Sequence, residues 1–413
     1  MDFPESLSPF IPQGSSSFVL SEPSGSGSKI RQIFQLASRQ LLEDKGIVLS
    51  PEQKKLVSDI CKCRTIACGF NMDTCTECGF KRIHYNSCGN RNCPVCGGLR
   101  KELWVDERSS EVIDSAYYHA VFTCPHELNS LFLANRKQLF AMFHKCVGQT
   151  IMELAADPKY LGAAPGIIQV LHTWSQELLF HPHIHAVISG GGLTADRQLK
   201  TLDRDSFFIP ESILAAKFRG KFLSMLDHAY SQHGLVLTGA AACLRNHYEW
   251  AAFRDRLYQC KWVAKVKETF NGNGNAIEYL GRYTYKVAIS DSRIVSVEED
   301  KVVFTARGED GRQSRTLTVT PLEFVKRFLL HVLPKGFQKI RYYGYLNNRF
   351  RKDNLALIFN LQGYRQYIQK YKGLSPAEVI FQKWGHDVTA CPHCKAHAML
   401  RLACCRGIRT SPA

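Results

Sequence analysis

The sequence lacks the features that would assign it to a membrane, an export pathway or a repeat architecture. No apolar run approaches the ~20 residues needed to span a bilayer. The N-terminal MDFPESLSPF lacks the basic and then apolar layout of a signal peptide, and no motif recurs at a fixed period. We therefore predict a cytoplasmic protein with no membrane partner.

Acidic residues are the scarcer charge. Asp and Glu number 37 against 53 Lys and Arg, which gives a formal net charge of +16. A chain of 413 residues that is 45% hydrophobic can still bury a large core, so the excess charge belongs to a folded protein. The balance favours a polyanionic partner such as nucleic acid.

Cysteine is abundant and unevenly distributed. Of the 16 cysteines, 12 fall in two clusters, at residues 61–96 and 391–405. In a reducing compartment, clustered thiols indicate metal binding rather than disulfides. Cys75 with Cys78, and Cys93 with Cys96, form two CxxC knuckles, and four thiolates from two knuckles can close a tetrahedron around zinc. We predict a structural zinc site here.

Other thiols can complete further zinc sites. We predict Cys63 and Cys88 as additional ligands, on either side of the first knuckle. Cys61, Cys68 and His84 are alternative ligands for such a second site. In the competing interpretation, one or two of these thiols are simply buried. The C-terminal CPHC at 391–394, with His397, Cys404 and Cys405 after it, is a candidate for another zinc.

Histidines alternate along a predicted β-hairpin. Residues 167–174 and 183–190 are typical of strands, and strand geometry sends His181, His183 and His185 to one face. Imidazole nitrogens grouped in this way suit a divalent cation that polarises a phosphate oxygen, although the same pattern also fits an ordinary surface strand. We expect the third ligand to be Gln176, beside the turn, with His172 as the alternative, because the sequence does not fix the strand register.

Two tyrosines stand four residues apart in the string YLGRY. On a helix, Tyr279 and Tyr283 present their hydroxyls on one face. A tyrosine oxygen can attack a phosphodiester when a cation stabilises the developing charge, and Arg282 and Lys286 add positive charge nearby. The competing interpretations are a stripe of core aromatics, or Tyr285 as the nucleophile.

A basic and aromatic segment, KGFQKIRYYGYLNNRFRK, follows at 335–352. Arginines contact phosphates and aromatic rings stack on bases. We predict DNA contacts here from Arg341, Arg349 and Arg351.

The order of these motifs resembles a known family. The zinc cluster with NSC and CPVC precedes FTCPHEL, HTWSQELLFHPHIHAV, YLGRYTYKVAIS and FVKRFLLHVLPKGFQKIRYYGYL. This order, from about residue 30 to about residue 397, resembles the HUH rolling-circle insertion-sequence transposases typified by IS91.

The resemblance implies an α+β fold, in which an antiparallel-sheet HUH nuclease domain with flanking helices follows a small zinc-binding module. His183 and His185 would hold Mg²⁺ or Mn²⁺, and Tyr279 and Tyr283 would form 5′-phosphotyrosine links to single-stranded DNA at element ends and target. Host replication machinery would supply new DNA in a bacterial nucleoid. The alternatives are a rolling-circle replication initiator or relaxase, and a non-catalytic zinc DNA-binding regulator.

The motifs also suggest a division of the chain. We expect a flexible tail at 1–28, a helical and zinc-binding domain at 29–105, and a catalytic domain at 106–355. The remaining 356–413 would form a C-terminal region with the possible CPHC knuckle.

Overall fold

A computed structural model describes residues 28–44, 46–202, 209–268, 288–308, 314–363 and 367–406, together with Ile277, Gly281 and Thr284. The chain forms two compact units. Within the described ranges, the small unit comprises Lys62–Cys88 and the residues from Leu374 to Arg406, and the large unit comprises Lys29–Cys61 and Gly89–Gly373. Among the described strands, the last pairs with the first.

The described residues contain ten helices and twelve strands. The helices are α1 (Lys29–Glu43), α2 (Pro51–Lys62), α3 (Gly98–Ser109), α4 (Asn129–Ala134), α5 (Arg136–Ala155), α6 (Glu211–Ser231), α7 (His247–Gln259), α8 (Pro321–Leu329), α9 (Arg351–Gln362) and α10 (Pro376–Trp384). The strands are β1 (Gly69–Cys75), β2 (Lys81–Tyr85), β3 (Tyr117–Thr123), β4 (Ala164–Trp174), β5 (Phe180–Leu193), β6 (Leu199–Thr201), β7 (Val263–Glu268), β8 (Ile294–Val297), β9 (Val302–Arg307), β10 (Ser314–Val319), β11 (Ile340–Tyr343) and β12 (Met399–Arg406).

An antiparallel sheet of six strands organises the large unit. Its order is β11-β4-β5-β3-β7, and β6 pairs with the far end of β5. Strand β5 is therefore central, flanked by β4 and β3. The hairpin expected from the alternating histidines is β4 and β5, and the α+β class is confirmed.

The two faces of this sheet carry different cores. Residues such as Phe122 and Ile184 point to one face, where they pack with phenylalanines of α5 and α6. Phe143 and Phe218 stack there, with ring centroids 5.7 Å apart. The opposite face of β4 and β5 buries a second, smaller cluster that includes Val170, Val187 and Trp104 of α3. Because side chains alternate along a strand, the histidines of β5 lie on this second face.

A further three-stranded sheet, in the order β10-β9-β8, packs on helix α8 in the large unit. Phe324 of α8 meets Phe304 of β9 edge to face at 5.7 Å, and Phe328 meets Phe34 of α1 at 5.3 Å. Helix α2 begins with a capping box in the string SPEQ. There the Gln53 amide donates to the Ser50 hydroxyl, and the Ser50 amide donates to the Gln53 side chain.

The small unit is built on a three-stranded antiparallel sheet, β12-β1-β2. Strand β1 pairs with β2 from Phe70 to Thr74 and with β12 along its whole length. The buried carboxylate of Asp73 forms an ion pair with Arg401, and its Oδ2 lies 3.2 Å from Nε2 of His84. The sheet thus joins residues more than 300 positions apart in the chain.

No helix within the described ranges is long and apolar enough to cross a membrane.

Candidate active site and metal centres

Three histidines converge near the turn of the β4–β5 hairpin. The register places His172 directly opposite His183, and Val170 opposite His185. Their ring centroids lie 4.7 Å (His172 and His185), 4.9 Å (His183 and His185) and 5.4 Å (His172 and His183) apart. One ring nitrogen of each lies within 4.8 Å of the others. His172 and His185 are buried, and His183 is half-buried.

The geometry selects His172 as the third member of this set, in place of the expected Gln176. Strand β4 ends at Trp174, so Gln176 lies in the turn and its side chain is exposed. Its backbone carbonyl accepts a hydrogen bond from Arg293. The pairing register, which turns His172 toward His183, decides the choice.

A fourth histidine, which the sequence analysis did not single out, contacts the set. His119 of β3 is buried, and its Nε2 lies 3.0 Å from Nδ1 of His185. Burial, together with the charge of Lys267, lowers the pKa of His119 to about 4, so the ring is neutral at pH 7. The contact engages Nδ1 of His185, and contacts of this kind fix the ring of a metal-binding histidine.

Side chains behind the hairpin hold its turn. His331 lies with Nε2 3.0 Å from the Leu178 carbonyl and Nδ1 3.3 Å from the Thr173 hydroxyl. Burial lowers the pKa of His331 to about 4, which keeps it neutral. Trp174 stacks on the His172 ring at 4.3 Å. These contacts orient the end of the hairpin that carries the histidine set.

The predicted nucleophiles Tyr279 and Tyr283 lie outside the described residues, as do the expected DNA contacts Arg282 and Lys286. Three neighbours in the same segment are described.

Of these neighbours, Ile277 packs in the apolar cluster on the histidine face of the sheet, with Val170 and Val187. Gly281 is helical and approaches α3 so closely that a Cβ atom there would lie 2.4 Å from Val105. Thr284 is also helical and buried. The start of the segment is thus fixed on the same sheet face as the histidines.

Four cysteines of the small unit form a compact quartet. Their sulfur atoms lie within 4.8 Å of one another, with 3.6 Å between Cys75 and Cys394 and 3.7 Å between Cys78 and Cys391. A tetrahedral zinc with bonds of about 2.3 Å to sulfur has sulfur-to-sulfur edges of about 3.8 Å. The quartet therefore fits zinc, and it differs from the expected site because the CPHC knuckle, rather than Cys93 and Cys96, supplies the second pair.

The two knuckles of the quartet share one backbone conformation. The Cys75 amide donates to the Phe80 carbonyl, as the Cys391 amide donates to that of Ala396, both at 2.8 Å. The residues after Cys78 and Cys394, Gly79 and Lys395, have φ angles of +70° and +65°. Each knuckle thus forms the same tight turn, with amides enclosing the sulfur atoms.

The other predicted zinc ligands are divided between the units. In the small unit, Cys63 is buried and its sulfur accepts a hydrogen bond from the Cys88 amide at 3.5 Å. In the large unit, Cys93 and Cys96 form a turn in which the Cys96 amide donates to the Cys93 carbonyl at 3.2 Å. Each pair has a local geometry that suits metal ligands.

The three arginines expected to contact DNA have different surroundings. Arg349 is exposed and lies 5.0 Å above the Phe350 ring, and Arg341 is half-buried beside Phe337. The Arg351 side chain is only 16% exposed, pairs with Glu111 at 3.2 Å and lies 4.2 Å from the ring centroid of Tyr342. These contacts hold the Arg351 side chain against Glu111 and Tyr342, and its DNA contact stays a prediction.

Comparisons with known proteins agree with this geometry. A putative transposase family matches residues 166–354, which include the histidine hairpin, and a transposase zinc-binding domain matches residues 33–124. The second match ends before Cys391 and Cys394. These matches, the α+β fold and the cysteine quartet define the protein as a transposase with a zinc-binding domain.

Full-length relatives narrow the class. "Putative transposase y4qJ" of Sinorhizobium fredii (strain NBRC 101917 / NGR234) is 33% identical over 399 residues, covering 94% of this chain and 98% of the relative. The "Transposase for insertion sequence element IS801" of Pseudomonas savastanoi pv. phaseolicola is 29% identical over 326 residues, or 77% of this chain and 76% of the relative. The chain belongs to the IS91 family of insertion-sequence transposases. No solved structure matches it.

Proposed function

We propose that this transposase cleaves and rejoins single-stranded DNA through a covalent 5′-phosphotyrosine intermediate formed by Tyr279 and Tyr283. The observation that carries the proposal is the set of His172, His183 and His185 on the central hairpin. A tyrosine segment that begins at Ile277 on the same sheet face supports it.

The histidine set would hold a divalent cation, Mg²⁺ or Mn²⁺. When bound, such a cation polarises a phosphodiester oxygen and offsets the charge that develops during attack. Three imidazole nitrogens favour a transition metal over Mg²⁺, which prefers oxygen ligands, so Mn²⁺ is the better fit. The contact between His119 and His185 would hold the latter ring in place.

The described residues of the tyrosine segment are helical and buried. Ile277, Gly281 and Thr284 follow one another at intervals of four and three, which is the helical period, and all three are buried. The proposal takes Tyr279 and Tyr283 as the nucleophiles because a tyrosine hydroxyl oxygen can attack a phosphodiester beside a cation.

The proposed reaction conserves the phosphodiester energy. The hydroxyl oxygen of one tyrosine attacks the scissile phosphorus and loses its proton, and the bond from phosphorus to the 3′ oxygen breaks. The leaving 3′ oxygen takes up a proton, and the 5′ phosphate stays on the tyrosine. In rejoining, a 3′ hydroxyl attacks this phosphotyrosine and releases the tyrosine. Two tyrosines would allow two strands to be held in turn.

The substrates in this proposal are single strands at the ends of the element and at the target, with host replication machinery completing the exchange in the bacterial nucleoid. Arg349 and Arg341 would contact phosphates, because Arg349 is exposed and both arginines lie against aromatic rings on the basic segment. Arg282 and Lys286 would do so beside the tyrosines.

Zinc would have a structural role away from this chemistry. Cys75, Cys78, Cys391 and Cys394 would hold one ion, since four thiolates leave no coordination position open. We also propose Cys63, Cys88, Cys93 and Cys96 as zinc ligands.

A covalent-adduct assay tests the proposed function. The protein is incubated with labelled single-stranded DNA carrying an element end and with Mn²⁺, and the adduct is separated under denaturing conditions. The wild type should form an adduct, each single variant, Tyr279→Phe or Tyr283→Phe, should form less, and the double variant none. Tyr285→Phe is the matched control, because it removes a neighbouring hydroxyl from the same segment. An adduct that persists in the double variant, or that maps to Tyr285, would refute the assignment.

A further inference from the structure

A small cavity lies behind the histidine hairpin, at the end of the tyrosine segment. Its volume is about 160 Å³, and its lining includes Trp174, Thr284, His331 and Lys339. The walls are otherwise mainly apolar. Lys339, which precedes β11, therefore places an amine in an enclosed site that the proposed chemistry does not use.

The amine of Lys339 contacts two described groups on either side of the cavity. Its Nζ donates a hydrogen bond to the backbone carbonyl of Thr284 at 3.2 Å, and it lies 5.0 Å from the centre of the Trp174 ring. That ring also stacks on His172 at 4.3 Å. An ammonium, an indole and an imidazole thus form a continuous series that ends at a member of the histidine set.

The backbone of Lys339 is fixed as well. Its carbonyl accepts a hydrogen bond from the Leu171 amide at 3.0 Å, and the next residue, Ile340, pairs with Val170 of β4. The lysine is therefore anchored to the strand that carries His172. Through its side chain it reaches the carbonyl of Thr284, the residue that directly follows Tyr283.

We propose that Lys339 is a positioning residue that ties the tyrosine segment to the histidine hairpin. The inference rests on the proposed function, because it assigns Lys339 to the alignment of nucleophile and metal site. It requires no contact between Lys339 and DNA. The hydrogen bond to Thr284 and the contact with Trp174 fix the distance between the two parts of the active site.

The hydrogen bond does not depend on the charge of the amine. Burial, together with the guanidinium of Arg91, lowers the pKa of Lys339 to about 7. Both the ammonium and the neutral amine carry N–H groups that can donate to the Thr284 carbonyl. Arg91 donates its own hydrogen bonds to the carbonyls of Phe337 and Pro334, so it lines the cavity without replacing Lys339.

The test compares Lys339→Met and Lys339→Arg with the wild type in the full-length protein. Methionine retains most of the aliphatic chain but cannot donate to Thr284. We expect a single-turnover rate of adduct formation about 10²-fold lower, the size of effect that a displacement of about 1 Å produces. Arginine restores a donor, so Lys339→Arg should recover at least part of this loss. Lys326→Met, on the exposed side of α8, is the control for loss of a lysine and should match the wild type.

Two further measurements separate positioning from phosphate binding. Hydrogen exchange of peptides that contain Thr284 should be faster in Lys339→Met, because the segment loses its anchor. The affinity for single-stranded DNA and its salt dependence should stay unchanged. A phosphate contact would instead lower the slope of log affinity against log salt by roughly 0.7, which would overturn the inference.

Failure of the inference and failure of the proposed function give different results. If the wild type forms an adduct while Lys339→Met reacts and exchanges at the wild-type rate, the positioning role is wrong and the nuclease proposal stands. If the wild type forms no adduct, the proposed function fails. Hydrogen exchange then tests only whether Lys339 anchors the segment at Thr284, and unchanged exchange in Lys339→Met would overturn that role.

Discussion

Replacing Cys391 and Cys394 by serine should cost the protein one zinc ion per chain and the folded state of the small unit. The two sulfur atoms lie 3.7 Å from Cys78 and 3.6 Å from Cys75, respectively, as a tetrahedral site requires. Serine keeps the size of the side chain but is a poor zinc ligand. The remaining two thiolates cannot complete the tetrahedron.

The expected effect is large because little else stabilises this unit. Its described apolar cluster consists of Cys75, Cys391 and Met399, with Phe80 and Ala398 packed against them, so two of the three buried members are proposed zinc ligands. Burying Met399 contributes about 1.5–3 kcal/mol, whereas ordering each residue costs about 1.5 kcal/mol. Structural zinc contributes about 10–16 kcal/mol of apparent binding free energy in zinc-finger peptides. Zinc binding is therefore the largest favourable contribution to the folding free energy of this unit.

The assay is zinc content per chain by mass spectrometry, combined with hydrogen exchange of strands β1, β2 and β12. In Cys391→Ser/Cys394→Ser, zinc should fall by one equivalent and protection in these strands should be lost. Cys404→Ser/Cys405→Ser is the matched control, because these two cysteines are exposed on β12 of the same unit. Full zinc content with native protection in the first variant would refute the assignment of the quartet.

Three further predictions concern the large unit. His172→Ala should abolish adduct formation while leaving DNA affinity nearly unchanged, whereas Gln176→Ala should cleave at close to the wild-type rate. If Gln176→Ala instead loses adduct formation and His172→Ala retains it, Gln176 is the metal ligand. Arg349→Glu should weaken binding to single-stranded DNA and reduce its salt dependence without lowering the melting temperature. Arg351→Ala should instead lower the melting temperature, because it removes the partner of the Glu111 carboxylate. Equal effects of both variants on DNA affinity would contradict this. The folded-state pKa of His331 lies at about 4, below the ordinary value of 6.5, so its contribution to stability is complete above pH 6.5 and is lost as the pH falls toward 4, by at most about 1.4 kcal/mol per pH unit. Denaturant unfolding at several pH values should therefore show a smaller fall in the free energy of unfolding for His331→Gln than for the wild type. An identical fall in both proteins would exclude this histidine as the cause.

The local elements of this protein could be predicted from its sequence. Alternation in 183–190 and the apolar run in 167–174 predict the two strands of the hairpin, since side chains on a strand alternate with a period of two. The SPEQ string predicts the capping box at Ser50, and CxxC spacing predicts each knuckle, because neighbouring residues alone supply these contacts.

Tertiary structure alone decided which of these local pieces meet. Cys78 and Cys391 are 313 residues apart, and only the pairing of β12 with β1 brings their knuckles together. The third histidine depended on register, because a shift of one residue would turn His172 to the opposite face of the sheet. The Arg351 side chain is likewise paired with Glu111 only in the folded protein, although its sequence context resembles that of the exposed Arg349. Contacts between distant segments depend on packing and strand pairing, which no local pattern encodes.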